Sequence, residues 1–257
     1  MRILVTNDDG YQAPGIRVLE EIARTLSDDV WVVAPAEEQS GAGHSLTLVE
    51  PIRLNRHADK RFSVRGTPTD CVMMALGHIM KDAMPDLVLS GVNRGANLAE
   101  DVTYSGTVSA AMEGTLYGVR SIALSQAMAD LKAEDAFRTA QAWGARVIGA
   151  LARMPWDRGV LMNVNFPPVA PDAVRGIVVA EQGFRDYGQT AIEARIDPRG
   201  FTYYWFGLGR ESQQPGHETD LKATREGCIA VTPLHLDMTH YPSMDALKSV
   251  LARIVHG

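Results

Sequence analysis

Two carboxylates stand side by side at Asp8 and Asp9, between Asn7 and Gly10. Adjacent acids repel each other unless a proton or a cation sits between them. Hard divalent ions such as Mg²⁺, Mn²⁺ and Ca²⁺ take carboxylate oxygens and resolve that repulsion. Asp-Asp-Gly is also good turn sequence, and an aspartate can cap a following helix. Taken alone, the tetrapeptide favours the turn. Later segments shift the balance towards a metal. Ser40 lies in a Gln39-Ser40-Gly41-Ala42-Gly43 loop, and Asn93 follows Ser90-Gly91-Val92. Carboxylates, a hydroxyl and an amide carbonyl make a hard-donor set suited to Mg²⁺ or Mn²⁺. Zinc suits it less, since these motifs contain no cysteine and no histidine beyond His44. His44 itself is open to two readings, a support or substrate contact and an ordinary loop histidine. Tyr104-Ser105-Gly106-Thr107 puts small residues at a helix start, where free N–H groups and the dipole attract an anion. Ordinary capping uses the same residues, but beside a di-acid metal site they read as a phosphate cradle. Neither a Walker loop nor a Gly-x-Gly-x-x-Gly turn follows the first strand, which argues against NTPases and dinucleotide enzymes.

These residues need elements to position them. Residues 2–6 form a short apolar run of the kind a buried parallel strand needs. Ligands of open α/β sheets bind beyond the carboxyl ends of the strands, which is where Asp8 and Asp9 fall. Ile16, Leu19, Ile22, Ala23 and Leu26 repeat at helical spacing over residues 16–27. Residues 30–34 form a second strand, stopped by Pro35, so the crossover is right-handed and the strands parallel. Residues 46–54 and 61–65 read as strands, arranged as a candidate hairpin. A helix is expected from about Asp70, with Thr69 as its cap. Residues 86–90, 121–125 and 160–166 read as further strands. Residues 91–97 read as a polar loop, Ser105-Gly106-Thr107 as the start of a helix, and residues 134–153 as the longest helix. Beyond residue 170 the pattern changes. Asp197-Pro198-Arg199-Gly200 is a strong turn signal inside residues 192–206, whose arms hold Phe201, Tyr203, Tyr204, Trp205 and Phe206. A core strand pair would also fit, but the sheet already has enough strands, so the expectation is a projecting arm packed on another subunit. A last strand over 228–232 and a helix over 243–255 complete the chain. The expected fold is α/β, a Rossmann-like three-layer αβα arrangement with a mostly parallel central sheet. The C-terminal β-hairpin arm and terminal helix are expected to serve oligomerisation.

The 257 residues are 46% hydrophobic, enough for one well-packed core. A net charge of −6 argues against a general nucleic-acid binder. It does not exclude a small phosphorylated substrate, because a metal supplies local positive charge. Cys71 and Cys228 have neither disulfide-framework nor zinc spacing and read as small buried apolar residues. Strand-like sequence from Arg2 leaves no room for a signal peptide, and no apolar run approaches membrane-spanning length. A soluble, cytoplasmic protein with no membrane or nucleic-acid partner is expected.

The chain resembles the survival protein SurE family of metal-dependent nucleoside monophosphate phosphatases. The matching segments are Asn7-Asp8-Asp9-Gly10 with Ala13-Pro14-Gly15, then Ser40-Gly41 leading to Ser45-Leu46-Thr47, then Gly66-Thr67-Pro68-Thr69-Asp70-Cys71. Next come Ser90-Gly91-Val92-Asn93-Arg94-Gly95-Ala96-Asn97 and Asp101 through Tyr104-Ser105-Gly106-Thr107-Val108 to Glu113-Gly114. Thr232-Pro233-Leu234 also fits. The resemblance implies one SurE-like domain over residues 1–257, with the hairpin extension from about 184. It implies a divalent metal, Mg²⁺ or Mn²⁺, held by Asp8, Asp9, Ser40 and Asn93. It implies phosphate binding by Asn97 and the Ser105-Gly106-Thr107 turn, and a homodimer or homotetramer. One position departs from the family pattern: Ala99 stands where a glycine is usual after Asn-Leu. A glycine there would take a positive φ, which alanine tolerates poorly.

The activity implied is 5′-nucleotidase, a phosphoric monoester hydrolase acting on nucleoside 5′- and 3′-monophosphates. The metal would polarise a phosphoryl oxygen and activate the attacking water. Asp8 is the candidate proton acceptor, and attack by Asp8 itself to give an aspartyl-phosphate is the mechanistic rival. A haloacid dehalogenase type of enzyme would space its acids as Asp-x-Asp, whereas here they are adjacent. The alternative from a different class is a nucleotide- or metal-binding regulator without turnover.

Overall fold

Strand β1 (Arg2–Thr6) is buried along almost its whole length, because helices cover both faces of the sheet. In the computed structural model, residues 1–129, 136–185, 190–208 and 218–255 are described. Helix α1 (Pro14–Arg24) opens on a proline, whose fixed φ suits the first helical turn. Strand β2 (Asp29–Pro35) returns parallel to β1. β3 (Arg53–Ala58) and β4 (Arg61–Arg65) form an antiparallel hairpin, and β4 pairs parallel with β2. Helix α2 (Pro68–Met74) runs on into a π-helical turn (Ala75–Ile79). Strand β5 (Leu87–Arg94) then pairs with β1 on its other side. A 3₁₀ turn (Ala99–Thr103) and helix α3 (Gly106–Leu116) lead to β6 (Arg120–Gln126). Helix α4 (Arg138–Arg153), β7 (Val160–Phe166) and the short β8 (Ile177–Val179) follow. β9 (Thr190–Ile196) and β10 (Thr202–Leu208) precede α5 (Asp220–Arg225), β11 (Ile229–His235) and α6 (Tyr241–Val255).

The main sheet has nine strands in the order β3-β4-β2-β1-β5-β6-β7-β11-β8. Only β3 with β4 and β7 with β11 run antiparallel. From β1 the chain moves outward through β2 and β4, then returns to the opposite side of β1 at β5. The order therefore reverses between β1 and β5, and a crevice opens there beyond the strand ends. Alternation along β1 serves both faces. Ile3 and Val5 pack with Ile16, Leu19, Val147 and Ile148 of α1 and α4. Leu4 packs with Cys71, Val72 and Ala110 of α2 and α3. This is the expected three-layer, mostly parallel arrangement.

Several expectations need correction. Residues 46–52 are not strand: Asp70 accepts hydrogen bonds from the Thr47 N–H (3.0 Å) and hydroxyl (2.6 Å), which hold this stretch on α2. The cap of α2 is Thr67 and not Thr69, because Pro68 takes the first helical position. Thr67 and Asp70 close a reciprocal capping box, with the Asp70 N–H on Thr67 Oγ1 at 3.1 Å and the Thr67 N–H on Asp70 Oδ2 at 2.8 Å. β5 runs on to Arg94 through an irregularity after Ser90, so Asn93 sits on a strand end and not in a free loop. Residues 134 and 135 of the expected long helix lie outside the described residues, and α4 begins at Arg138. β8 and α5 had no clear signature in the sequence. The hairpin β9–β10 is a two-stranded sheet apart from the main one, with Ile192, Ile196, Phe201, Trp205 and Phe206 exposed. Leu247, Val250, Leu251 and Ile254 of α6 are exposed as well. Among the described residues no helix is long and apolar enough to cross a membrane. Both cysteines are free.

Gly15 shows how tightly α1 sits beside the crevice. A Cβ at Gly15 would lie 2.0 Å from the carbonyl oxygen of Val92, on the irregular part of β5. Gly15→Ala is expected to lower the unfolding free energy by about 3 kcal/mol, as an overpacked contact with backbone that cannot rotate away. Urea denaturation reads this. Gly77→Ala is the control, because its added Cβ would meet nothing closer than the Tyr117 hydroxyl at 3.6 Å.

Candidate active site

The turn after β1 is folded by its own side chain. Asn7 Nδ2 donates to the carbonyl of Gly10 at 2.9 Å, and Gly10 has a φ of +102°, a conformation that favours glycine. Asp8 is thereby buried and Asp9 half-buried, both at the crevice. The Gln39 N–H donates to the Asp8 carbonyl at 2.8 Å and draws in the second loop, which carries Ser40. Ser40 is exposed, and its hydroxyl donates to Glu38 Oε1 at 2.8 Å. From β5, the Arg94 N–H donates to Asp9 Oδ2 at 3.3 Å. Asn93 Nδ2 donates to the Gly95 carbonyl at 2.9 Å, which leaves Oδ1 as the group Asn93 can offer a cation.

The fourth piece is the N-terminus of α3. Ser105 is its cap, with Oγ accepting from the Val108 N–H at 3.1 Å. A Cβ at Gly106 would come within 2.7 Å of Asp8 Cβ, so only glycine lets the helix end approach this closely. The Thr107 hydroxyl donates to Asp8 Oδ1. The Thr107 backbone N–H is turned to the same carboxylate, so both donors of Thr107 serve Asp8. Asn97 is held from both sides: its Nδ2 donates to Ser125 Oγ at 2.8 Å, and its N–H donates to Asn165 Oδ1 at 2.9 Å. Its carbonyl accepts from Asn163 Nδ2 at 2.8 Å and Asn165 Nδ2 at 3.0 Å.

Together these loops enclose a cleft of about 820 Å³, a size suited to a small-molecule ligand. Asp8, Asp9, Ser40, Asn93, Asn97 and Ser105 all line it, while Gly106 and Thr107 stand behind Asp8. Glu38, Arg94, Asp101, Tyr104 and Phe137 complete the wall. His44 pairs with Glu113 Oε2 of α3 at 2.9 Å.

Burial dominates the electrostatics. It pushes the Asp8 carboxyl up to about 6, against the Thr107 hydrogen bond that favours the charged form and with the charge of Asp9 adding to the rise. Asp9 is also raised, first by burial, with the Arg94 N–H opposing and the charge of Glu38 adding to it. Two acids held in this state form a site for positive charge. Among the described residues no group of three or more His, Cys, Asp or Glu side chains could hold a metal. The groups the cleft could offer a cation are two carboxylates, a hydroxyl and an amide oxygen. That all-oxygen set fits Mg²⁺ or Mn²⁺, which fill remaining positions with water.

Sequence reasoning missed the groups that brace the cleft. Asn163 and Asn165 alternate along the otherwise apolar β7, a visible signal of a polar strip on a buried strand. Arg185 and Asp220 are buried behind the 3₁₀ turn that follows Asn97, and no local pattern announces them. Ala99 in that turn has a φ of +53°, the glycine-like angle that the departure at this position implied.

The comparisons with known proteins agree with the fold. A family model described as "Survival protein SurE" matches residues 3–189. A protein of Rhizorhabdus wittichii named 5′-nucleotidase SurE is 59% identical over 97% of this chain and 99% of its own length. A 5′-nucleotidase SurE of Caulobacter vibrioides is 53% identical over 98% of this chain and 96% of its own. The crystal structure of the SurE protein from Aquifex aeolicus superposes with a TM-score of 0.84 at 38% identity, covering 97% of this chain and 99% of that one.

Alanine at a positive φ is strained, and glycine relieves that strain while giving up some restriction of the unfolded chain. Ala99→Gly is expected to raise stability by about 0.5–1 kcal/mol, the net of those two effects. A higher urea midpoint at unchanged slope is the readout.

Proposed function

The chain belongs to the survival protein SurE family, and on that premise we propose that it is a divalent-metal-dependent phosphomonoesterase. Its substrates on this reading are nucleoside 5′- and 3′-monophosphates, hydrolysed to nucleoside and phosphate. The observation that carries the proposal is a pair of adjacent carboxylates in one cleft, Asp8 buried against the N-terminus of α3 and Asp9 half-buried beside it. A cation on one side and a helix N-terminus on the other leave a place for a phosphoryl group between them.

Asp8, Asp9, Ser40 and Asn93 would hold the ion. When bound, a divalent cation supplies charge neutralisation and Lewis acidity at the phosphoryl oxygen. The chain's own groups do the rest. The N–H of Gly106 has no partner within the first turn of α3 and can donate to an equatorial oxygen, while Thr107 holds the Asp8 carboxylate beside it. The Ser105 hydroxyl accepts from Val108 through its oxygen and keeps its proton to donate. Asn97 has a second amide hydrogen beyond the one given to Ser125. Thr107 fixes Oδ1 of Asp8, so the other oxygen is the one that can accept a proton from the attacking water. Water adds to phosphorus as its proton passes to Asp8, the ester P–O bond breaks, the nucleoside oxygen takes a proton from solvent, and Asp8 returns its proton to solvent, so ester and water give nucleoside and phosphate. The exposed apolar side chains of β9–β10 and α6 support assembly into a homodimer or homotetramer.

The test is phosphate release by metal-stripped protein from a panel of nucleoside monophosphates and an aryl phosphate, with Mg²⁺, Mn²⁺, Zn²⁺ or no metal added. Nucleotide hydrolysis is expected to return with Mg²⁺ or Mn²⁺. Asp9→Asn is expected to lose at least about 100-fold in kcat/KM. Turnover of the aryl phosphate alone would reject the nucleotide assignment. No turnover with any metal would favour a nucleotide-binding regulator.

A further inference from the structure

The turn between Asn97 and Ser105 is gripped from behind by a segment far away in sequence. The Arg185 guanidinium is almost fully buried, with Nη1 2.9 Å from Asp101 Oδ2 and 3.2 Å from the Leu98 carbonyl. Its backbone N–H donates to Glu100 Oε1. Asp220, fully buried, accepts from the Ala99 N–H through Oδ2 at 2.8 Å and from the Gly183 N–H through Oδ1 at 2.9 Å. Gln182 Nε2 donates to the Ala99 carbonyl at 3.0 Å. Both polar groups of the left-handed residue are thus held by side chains from the C-terminal part of the chain. A strained φ persists only where its surroundings impose it.

Charge adds a second reason for the grip. Asp101 lines the same cleft as Asn97 and Ser105. A carboxylate there would repel a phosphate dianion, and the buried guanidinium, which also lies 3.9 Å from Glu100 Oε2, offsets that repulsion. We propose that Arg185 is a positioning residue for the phosphate end of the cleft. It neutralises Asp101 and, with Asp220, pins the Leu98–Asp101 turn so that Asn97 and Ser105 face the anion. The proposal rests on the phosphomonoesterase reading for its purpose, but its mechanical content is independent of turnover.

The experiment measures three quantities in Arg185→Gln: Mn²⁺ affinity by calorimetry, inorganic phosphate affinity on Mn²⁺-loaded protein, and steady-state kinetics. Phosphate binding and kcat/KM are each expected to weaken about tenfold or more, while Mn²⁺ affinity stays within about twofold. Adding Asp101→Asn to Arg185→Gln is expected to restore phosphate affinity to within about threefold, because it removes the charge left unpaired. Unchanged phosphate affinity in Arg185→Gln would overturn the proposal, as would a parallel loss of Mn²⁺ affinity. If Arg185→Gln does not fold, Arg185→Lys is measured instead: it keeps the charge and loses the planar fork, so it tests the pinning alone, with a loss of phosphate affinity at unchanged Mn²⁺ affinity expected and unchanged phosphate affinity overturning that role. Wild-type protein that binds phosphate without hydrolysing nucleotides would remove the enzymatic reading and leave the phosphate arm of the test intact.

Discussion

Two like charges held next to each other in a poorly solvated crevice set the terms for this molecule. Asp8 and Asp9 both have carboxyls raised by burial. Nothing in a folded chain gains from burying an uncompensated pair of acids. Their surroundings answer that cost with donors. Thr107 gives a hydroxyl to Asp8, Arg94 gives an N–H to Asp9, and the start of α3 presses its positive end against Asp8. The same arrangement that tolerates the acids collects ligands for a cation and N–H groups for an anion.

The scaffold explains why these pieces meet. Strand order reverses between β1 and β5, so the loops that follow them diverge and leave room. Gly15, Gly91 and Gly106 remove the atoms that would keep the elements apart, since a Cβ at each would lie within 2.7 Å of a neighbouring group. Beyond that first ring the bracing comes from distant sequence. β7 supplies Asn163 and Asn165 to hold Asn97, and the region around Arg185 and Asp220 holds the turn that follows it. The site is therefore distributed over most of the sheet.

How much of this was readable in the chain depends on the range of the interaction. The strands of the parallel core and the start of α3 follow from apolar runs and small residues in sequence, and the structure has them. Asp8, Asp9, Ser40, Asn93, Asn97 and Ser105 stand out because they sit in short polar loops after such runs, and the structure gathers them around one cleft. Local preference misleads where a tertiary contact outweighs it or a neighbouring proline fixes the helix start. Thr47 is drawn to Asp70, so a stretch rich in strand formers stays out of the sheet. Pro68 moves the cap of α2 from Thr69 to Thr67. Arg185 and Asp220 could not be found by pattern, because their meaning lies wholly in partners remote along the chain.

The central claim is that the adjacent aspartates share one divalent ion facing the N-terminus of α3. A crystal of the protein grown with Mn²⁺ and inorganic phosphate, measured for anomalous scattering from manganese, tests it most directly. The account predicts one strong peak coordinated by Asp8 and Asp9, with Ser40 and Asn93 completing the protein ligands and phosphate lying between the ion and Ser105. A peak bound elsewhere, or an empty pair of aspartates beside well-ordered phosphate, would contradict it.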